Sequence, residues 1–266
     1  MELTKCTTAT EDLADINNSD NTTTKSWFPL ESNPDALNRY ISKLGFNTLL
    51  YQFVDVYSTE DWALEMIPGQ VLALLLVYPI TPNQEKFRIE ENESLLSNRN
   101  ETLFFMKQRI GNACGTIGIL HALTNLHPEC ISLTIDPKSW LGRFYQSCWN
   151  HPSSIMTPIQ IAERLEQDPD IGYMHSDATM DEGNQTHRGD SENQDVDTHF
   201  IALVPHSDGY IYEFDGRKEG PVRHGCTTKE TFLKDACQVV QRFMDRDPEE
   251  LRFTIVALTS TIDNEE

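Results

Sequence analysis

Cys114 stands among small residues in the run Lys107-Gln108-Arg109-Ile110-Gly111-Asn112-Ala113-Cys114-Gly115-Thr116-Ile117-Gly118-Ile119-Leu120, where a polar segment passes straight into an apolar, helix-compatible one. Such a run sets a thiol at a helix N-terminus, where free backbone N–H groups and the helix dipole favour thiolate. A buried structural cysteine is the ordinary reading of a single thiol. Here, however, Gln108 lies six residues upstream, and His199 and Asp215 lie downstream. Together these four residues supply the parts for acyl transfer. Cys114 would attack a carbonyl, and His199 would take its proton and later deliver it to the leaving group. Asp215 would fix the imidazole tautomer and favour its charged form. The Gln108 side-chain amide, with the Cys114 backbone N–H, could hold the developing oxyanion.

His199 is preferred among eight histidines because of its place in a hairpin. His199-Phe200-Ile201-Ala202-Leu203-Val204 and Tyr210-Ile211-Tyr212-Glu213-Phe214-Asp215 are both strand-like, with Pro205-His206-Ser207-Asp208-Gly209 as the turn between them. Pairing Val204 with Tyr210 sets Phe200 against Phe214 and His199 across from Asp215, with Cβ atoms about 5 Å apart. A different turn length would change that register. His121 and His127 are expected to pack in or cap the Cys114 helix. His151, His175 and His187 fall in loops, and His206 and His224 in turns. The order Gln-x5-Cys, then His, then Asp resembles papain-like cysteine proteases. No Cys/His cluster has metal-ligand spacing and no phosphate-binding glycine loop occurs, so no metal or cofactor is expected.

The elements that must position these groups can be read in chain order. Residues 1–26 are rich in Thr, Asn, Asp and Ser and are expected to be a disordered tail. Asn33-Pro34 opens a helix with Leu37, Tyr40, Ile41 and Leu44 as its buried stripe, and Gly45 ends it. Tyr51–Val56 reads as a strand, Glu60–Met66 as a short helix, and Val71–Tyr78 as a strand buried on both faces. Residues 83–102 read as a loop. Trp140, Leu141, Phe144, Tyr145 and Cys148 form a helical stripe, and Thr157-Pro158 caps a helix to about Gln167. From 168 to 197 the chain is acidic and aperiodic. Residues 163–198 hold eleven acids against two arginines. Thr227-Thr228-Lys229-Glu230 resembles a capping box for a helix carrying Phe232, Ala236, Val240 and Phe243, and Leu251–Leu258 is a last strand.

With 266 residues, 38% hydrophobic content and four tryptophans, the chain can bury a full core, in one domain or at most two. Its net charge of −21 disfavours nucleic acid and anionic membranes as partners and favours a basic protein. No signal peptide, lipid anchor or membrane span is expected. Six cysteines without paired spacing suggest reduced thiols and a cytoplasmic or nuclear address. The sequons at Asn92 and Asn100 are therefore read as chance.

Phe105-Met106-Lys107-Gln108 leading into Gly111-Asn112-Ala113-Cys114-Gly115-Thr116-Ile117-Gly118 closely resembles the active-site signature of the ubiquitin carboxyl-terminal hydrolase (UCH) family. The resemblance includes Trp27-Phe28-Pro29-Leu30-Glu31-Ser32-Asn33-Pro34, Gln52-Phe53-Val54-Asp55-Val56-Tyr57 and Pro79-Ile80-Thr81. It continues through Asp197-Thr198-His199-Phe200-Ile201-Ala202-Leu203 and Tyr212-Glu213-Phe214-Asp215-Gly216-Arg217, and closes at Arg246-Asp247-Pro248-Glu249-Glu250-Leu251-Arg252-Phe253. Thr198 and Gly220 depart from the residues often found at those positions; neither removes a catalytic group.

The resemblance implies a papain-like α/β fold, with a central, mainly antiparallel sheet between helices and a knotted backbone. The catalytic domain would span 27–262, as in the short, single-domain members. The same resemblance implies Cys114, His199, Asp215 and Gln108 as the catalytic set, and Leu30 and Glu31 as ubiquitin contacts. It makes 168–197 an active-site crossover loop that limits the leaving group to small adducts and short peptide extensions. The implied partner is ubiquitin, whose basic tail suits an acidic surface; a close ubiquitin-like modifier is the other candidate, and the chain is expected to be monomeric. Two rival readings are a low-turnover protein that holds free ubiquitin and an unrelated papain-like peptidase.

Overall fold

The computed structural model describes residues 25–95, 103–149, 155–180 and 196–261. In chain order these form α1 (Pro34–Leu44), β1 (Tyr51–Val56), α2 (Asp61–Leu64), β2 (Val71–Pro79), α3 (Pro82–Leu95), α4 (Cys114–Thr124) and α5 (Pro128–Thr134). They continue as α6 (Trp140–Cys148), α7 (Pro158–Gln167), α8 (Pro169–Thr179), β3 (Thr198–Pro205), β4 (Tyr210–Phe214), β5 (Val222–Cys226), α9 (Phe232–Met244) and β6 (Thr254–Ser260). The strands make one antiparallel sheet in the order β1-β6-β2-β3-β4-β5.

β2 runs through the middle with all nine residues buried, because helices cover both faces of the sheet. Alternation along the strand divides its side chains between two cores. Ala73 and Leu75 meet Leu37, Ile41, Ile117, Leu120, Phe144 and Ile171 from the helices of one face. Leu74 and Leu76 meet Phe232, Val240 and Phe243 of α9 on the other. The terminal strand β1 is closed off by a side chain: the Asn38 amide donates to Phe53 O (2.9 Å) and accepts from Phe53 N (2.7 Å). One amide thus fills the outward backbone groups of Phe53, which would otherwise invite another chain.

Several helix ends follow from local chemistry. The Asn33 side chain accepts from Ala36 N, and Gly45 closes α1 at φ +105°. A Cβ at Gly45 would stand 1.9 Å from Ser139 Cβ, the residue that caps α6. Gly45→Ala therefore combines an unfavourable φ with a steric clash. We expect a loss of about 2 kcal/mol or more, read as a lower urea midpoint at unchanged slope. Thr157 and Gln160 form a reciprocal capping box on α7.

The structure corrects several sequence expectations. Residues 82–95 are helical, not a loop. α3 has no apolar stripe to read because polar contacts fasten it: Thr81 Oγ1 accepts from Gln84 N, Gln84 donates to Phe243 O, and Glu85 pairs with Arg88 and Arg217. The first part of the acidic 168–197 segment is α8. Asp168 accepts from Asp170 N and Ile171 N, and Pro169 occupies the first turn. Residues 181–195 of that segment lie outside the described residues. α5 and β5 are additional elements, and β5 lacks apolar alternation because it is largely exposed. The Thr227–Glu230 capping box does not form; α9 starts after Thr231, while Thr228 and Thr231 bond to one another. The last strand begins at Thr254. At the other end, residues 1–24 of the expected tail lie outside the described residues, but Lys25 and Ser26 already pair with Gly111.

Candidate active site

The thiol arrives where the sequence placed it. Cys114 is the first residue of α4, whose eleven residues are all buried. Asn112, at φ 59°, turns the incoming extended segment into the helix; asparagine tolerates this left-handed conformation better than most residues. Cys114 is only 9% exposed and clusters with Val77 of β2 and Phe200 of β3.

The hairpin brings the base and carboxylate together in a register different from the expected one. Val204 pairs with Tyr212 and Ala202 with Phe214, a shift of two residues from the expectation. The turn is 206–210: Gly209, at φ 82°, donates to His206 O, and His206 N donates to Tyr210 O. Asp215 is thus diagonal to His199 and lies just beyond β4. Because side chains alternate with a period of two, a two-residue shift preserves their face. His199 Nε2 meets Asp215 Oδ1 at 2.7 Å, with both side chains buried. Asp215 Oδ1 also accepts from Arg217 N at 2.8 Å, an Asx turn that the Asp-Gly-Arg sequence could have signalled. With Nε2 engaged, Nδ1 is the ring atom left to serve the Cys114 sulfur, with which His199 is electrostatically coupled.

Electrostatics favour charge separation in this trio. Burial pushes the Cys114 thiol up, but the hydrogen bond and charge of His199, with the Phe200 and Gly115 N–H groups, bring it below its ordinary value. Burial pushes His199 down, but Asp215 and the sulfur raise it to about 9. Burial opposes the Asp215 carboxylate, whereas His199, Lys218 and Arg217 N hold it far below the carboxylate range. The proton therefore resides on His199 near neutrality. Half-maximal alkylation by a neutral haloacetamide is expected well below pH 8.5, and His199→Gln should move it above that value. An ordinary thiol profile in the unmodified protein would refute the ion pair. Because His199 titrates higher folded than unfolded, its pairing stabilises the fold fully below about pH 6.5. That contribution is lost as pH rises through about 9.

Gln108 is joined to the same loop through backbone. Its N–H donates to Gly216 O at 2.8 Å, and a Cβ at Gly216 would stand 3.0 Å from Gln108 Cβ. One amide N–H of Gln108 reaches Ile110 O at 3.3 Å; the amide carries a second donor. Leu30 is 6% exposed and packs near Gly115, where an added Cβ would lie 3.0 Å away, and it also lines the groove beside Glu31. Glu31 lies on the rim of a groove of about 610 Å³, bordered also by Asp55, Val77, Thr198 and Phe200. That groove reaches Cys114's apolar neighbours.

Behind the site is a buried charge cluster that sequence reasoning missed. Lys218 Nζ contacts Glu213 and lies 2.6 Å from Glu91 Oε2; Glu213 also meets His224 Nε2 at 2.9 Å. Only the fold brings these residues together, so spacing carried no signal. His224 is accordingly in a strand, not a turn. His175 is in α8, not a loop, and bonds Thr116 Oγ1 and Phe28 O. His127 caps α5, His206 remains in its turn, and His121 is buried in α4. His151 and His187 lie outside the described residues, as does Asn100; Asn92 accepts from Glu219 N. The described cysteines are free thiols.

A helix-head thiol coupled to a carboxylate-held imidazole, on an antiparallel sheet between helices, defines a cysteine hydrolase. The model of ubiquitin carboxyl-terminal hydrolase, family 1, matches residues 27–245. Ubiquitin carboxyl-terminal hydrolase 3 of Arabidopsis thaliana is 40% identical over 243 residues, covering 91% of this chain and 97% of the relative. The isozyme L1 of Homo sapiens is 38% identical over 231 residues, covering 86% and 96%. The UCH37 catalytic domain of Trichinella spiralis, solved with ubiquitin vinyl methyl ester, shares the fold at TM-score 0.65 and 19% identity over 88% of this chain and 96% of that one. The chain belongs to the ubiquitin carboxyl-terminal hydrolase family and is a cysteine-type ubiquitin hydrolase.

Proposed function

We propose that the protein removes small adducts and short peptide extensions from the carboxyl terminus of ubiquitin, with Cys114 as nucleophile. The carrying observation is the buried His199–Asp215 pair, 2.7 Å apart, together with the helix-head thiol of Cys114 to which His199 is electrostatically coupled. The Cys114 thiolate attacks the carbonyl carbon of ubiquitin's last glycine. Negative charge moves to the carbonyl oxygen, facing Gln108 Nε2–H and the Cys114 backbone N–H. His199 then gives its Nδ1 proton to the leaving amine, and the C–N bond breaks to leave a thioester. Water attacks that thioester as His199 takes a proton from it, releasing the free carboxylate and the thiolate.

The groove beside Val77 and Phe200 is our candidate path for the ubiquitin tail, with Glu31 and Asp55 supplying negative charge along it. Leu30 supports that rim by packing. The protein is taken to act as a monomer on ubiquitin in a reducing compartment, cytoplasmic or nuclear. The decisive comparison is a fluorophore amide on full-length ubiquitin against the same fluorophore on a short peptide of ubiquitin's terminal residues. Release from ubiquitin at least about 100-fold faster in kcat/KM is expected, because remote binding energy is used at the reacting bond. Equal rates would instead identify a general papain-like peptidase.

A further inference from the structure

Among the described residues, four buried side-chain N or O atoms lack a hydrogen-bond partner: Gln108 Oε1, His121 Nδ1, Asp215 Oδ2 and Arg217 Nη1. Arg217 Nη1 is nevertheless ion-paired, 2.7 Å from Glu85 Oε1. The other three belong to segments that touch one another around the active site. Met106 N donates to His121 Nε2 at 3.0 Å, the His121 and Phe214 rings lie 5.5 Å apart, and Gln108 N donates to Gly216 O. Asp215 sits between Phe214 and Gly216. Since Nε2 accepts from a backbone N–H, neutral His121 must carry its proton on Nδ1. Burial holds this ring neutral, lowering it to about 3 despite the charge of Asp215. The three atoms are thus one donor and two acceptors.

We propose that His121 is a positioning residue for Asp215, its Nδ1–H donating to one internal water that donates in turn to Asp215 Oδ2 and Gln108 Oε1. A water supplies two donors and can accept from the imidazole, so all three groups are satisfied at once. His121 would thereby tie the carboxylate that orients His199 to the amide that faces the oxyanion. Its ring is held for this task by stacking on Phe105, at 5.2 Å and 3° between planes. This inference rests on the proposed roles of Asp215, His199 and Gln108.

The charged and titratable groups facing Asp215 and His199 are Cys114 and His121 of α4, Tyr78 of β2 and Lys218 after β4. Arg217, Glu85 and Glu213 stand around Tyr78. Losing the donated bond leaves Asp215 charged and a stronger acceptor, so its hold on His199⁺ tightens and the alkaline limb of kcat/KM must move up. His121→Phe, which keeps the ring stack, should lower kcat/KM about 10- to 100-fold, the size of one hydrogen bond to a charged group. It should also move that limb up by about one pH unit. His121→Gln can accept from Met106 N and still donate, and should recover to within about five-fold.

Nitrogen NMR of the imidazoles in the unmodified protein provides a test independent of activity and of variant folding. His121 should be the neutral Nδ1–H tautomer, with that proton protected from exchange. An Nε2–H tautomer or an unprotected proton would overturn the proposal, as would an unshifted alkaline limb in His121→Phe. A His121→Gln variant as impaired as His121→Phe would do the same. Failure of the catalytic reading is distinguishable: Asp215→Asn would then leave turnover intact while the His121 tautomer stayed as described.

Discussion

Cys114→Ala will reduce release of a fluorophore from a ubiquitin carboxyl-terminal amide by on the order of 10⁶-fold, the cost of deleting a nucleophile whose partners act with it as a unit. Among the described residues no nearby group can replace the sulfur: Val77 and Phe200 are its apolar neighbours, and the remaining described cysteines lie on other elements. Binding should survive, because removing one sulfur leaves α4, the groove and Glu31 in place. Two assays decide the matter, steady-state hydrolysis and calorimetric titration with free ubiquitin. Loss of hydrolysis with retained affinity supports the nucleophile. Slow hydrolysis at equal rates in both proteins would instead favour a ubiquitin-holding protein with incidental activity.

Asp215→Asn is expected to lower kcat/KM by on the order of 10² to 10⁴-fold, as loss of the orienting carboxylate does in the related serine triad. An asparagine oxygen could still accept from His199 and Arg217 N, so geometry is largely retained while the charge is lost. The raised His199 pKa of about 9 depends on that charge. Its loss should therefore move the alkaline limb of activity toward the ordinary histidine value of about 6.5. Acid stability carries the opposite sign. Asp215 titrates lower folded than unfolded, so its pairing stabilises the native protein above about pH 4 and is lost as pH falls further. The variant should thus lose stability at neutral pH yet converge with the parent in acid. A loss of activity with no movement of the alkaline limb would mean that Asp215 holds only structure.

How legible the molecule was depended on the kind of contact involved. α1, β1, β2 and α7 could be read because Asn33-Pro34, Thr157-Pro158 and the apolar runs carry their own local signals. α3 and α8 escaped because their sequence lacks an apolar stripe or sits within an acidic stretch, and polar anchors from distant segments hold them. Gln84 reaching Phe243 O and His175 reaching Phe28 O are such anchors. The hairpin register was misread by two residues, yet His199 and Asp215 still met, because strand parity survives an even shift.

By itself the sequence determined the chemistry: a thiol at the head of an apolar helix, an imidazole and carboxylate on one hairpin face, and an amide six residues before the thiol. These properties follow from local propensity and the fixed periods of helix and strand. Tertiary structure alone decided how those groups behave. It buried His199 and Asp215 together, joined Gln108 to Gly216, set Leu30 against the helix head and placed His121 behind the carboxylate. Charge is costly to bury without a partner. Proton location therefore depends on which distant segments the packed core brings into contact.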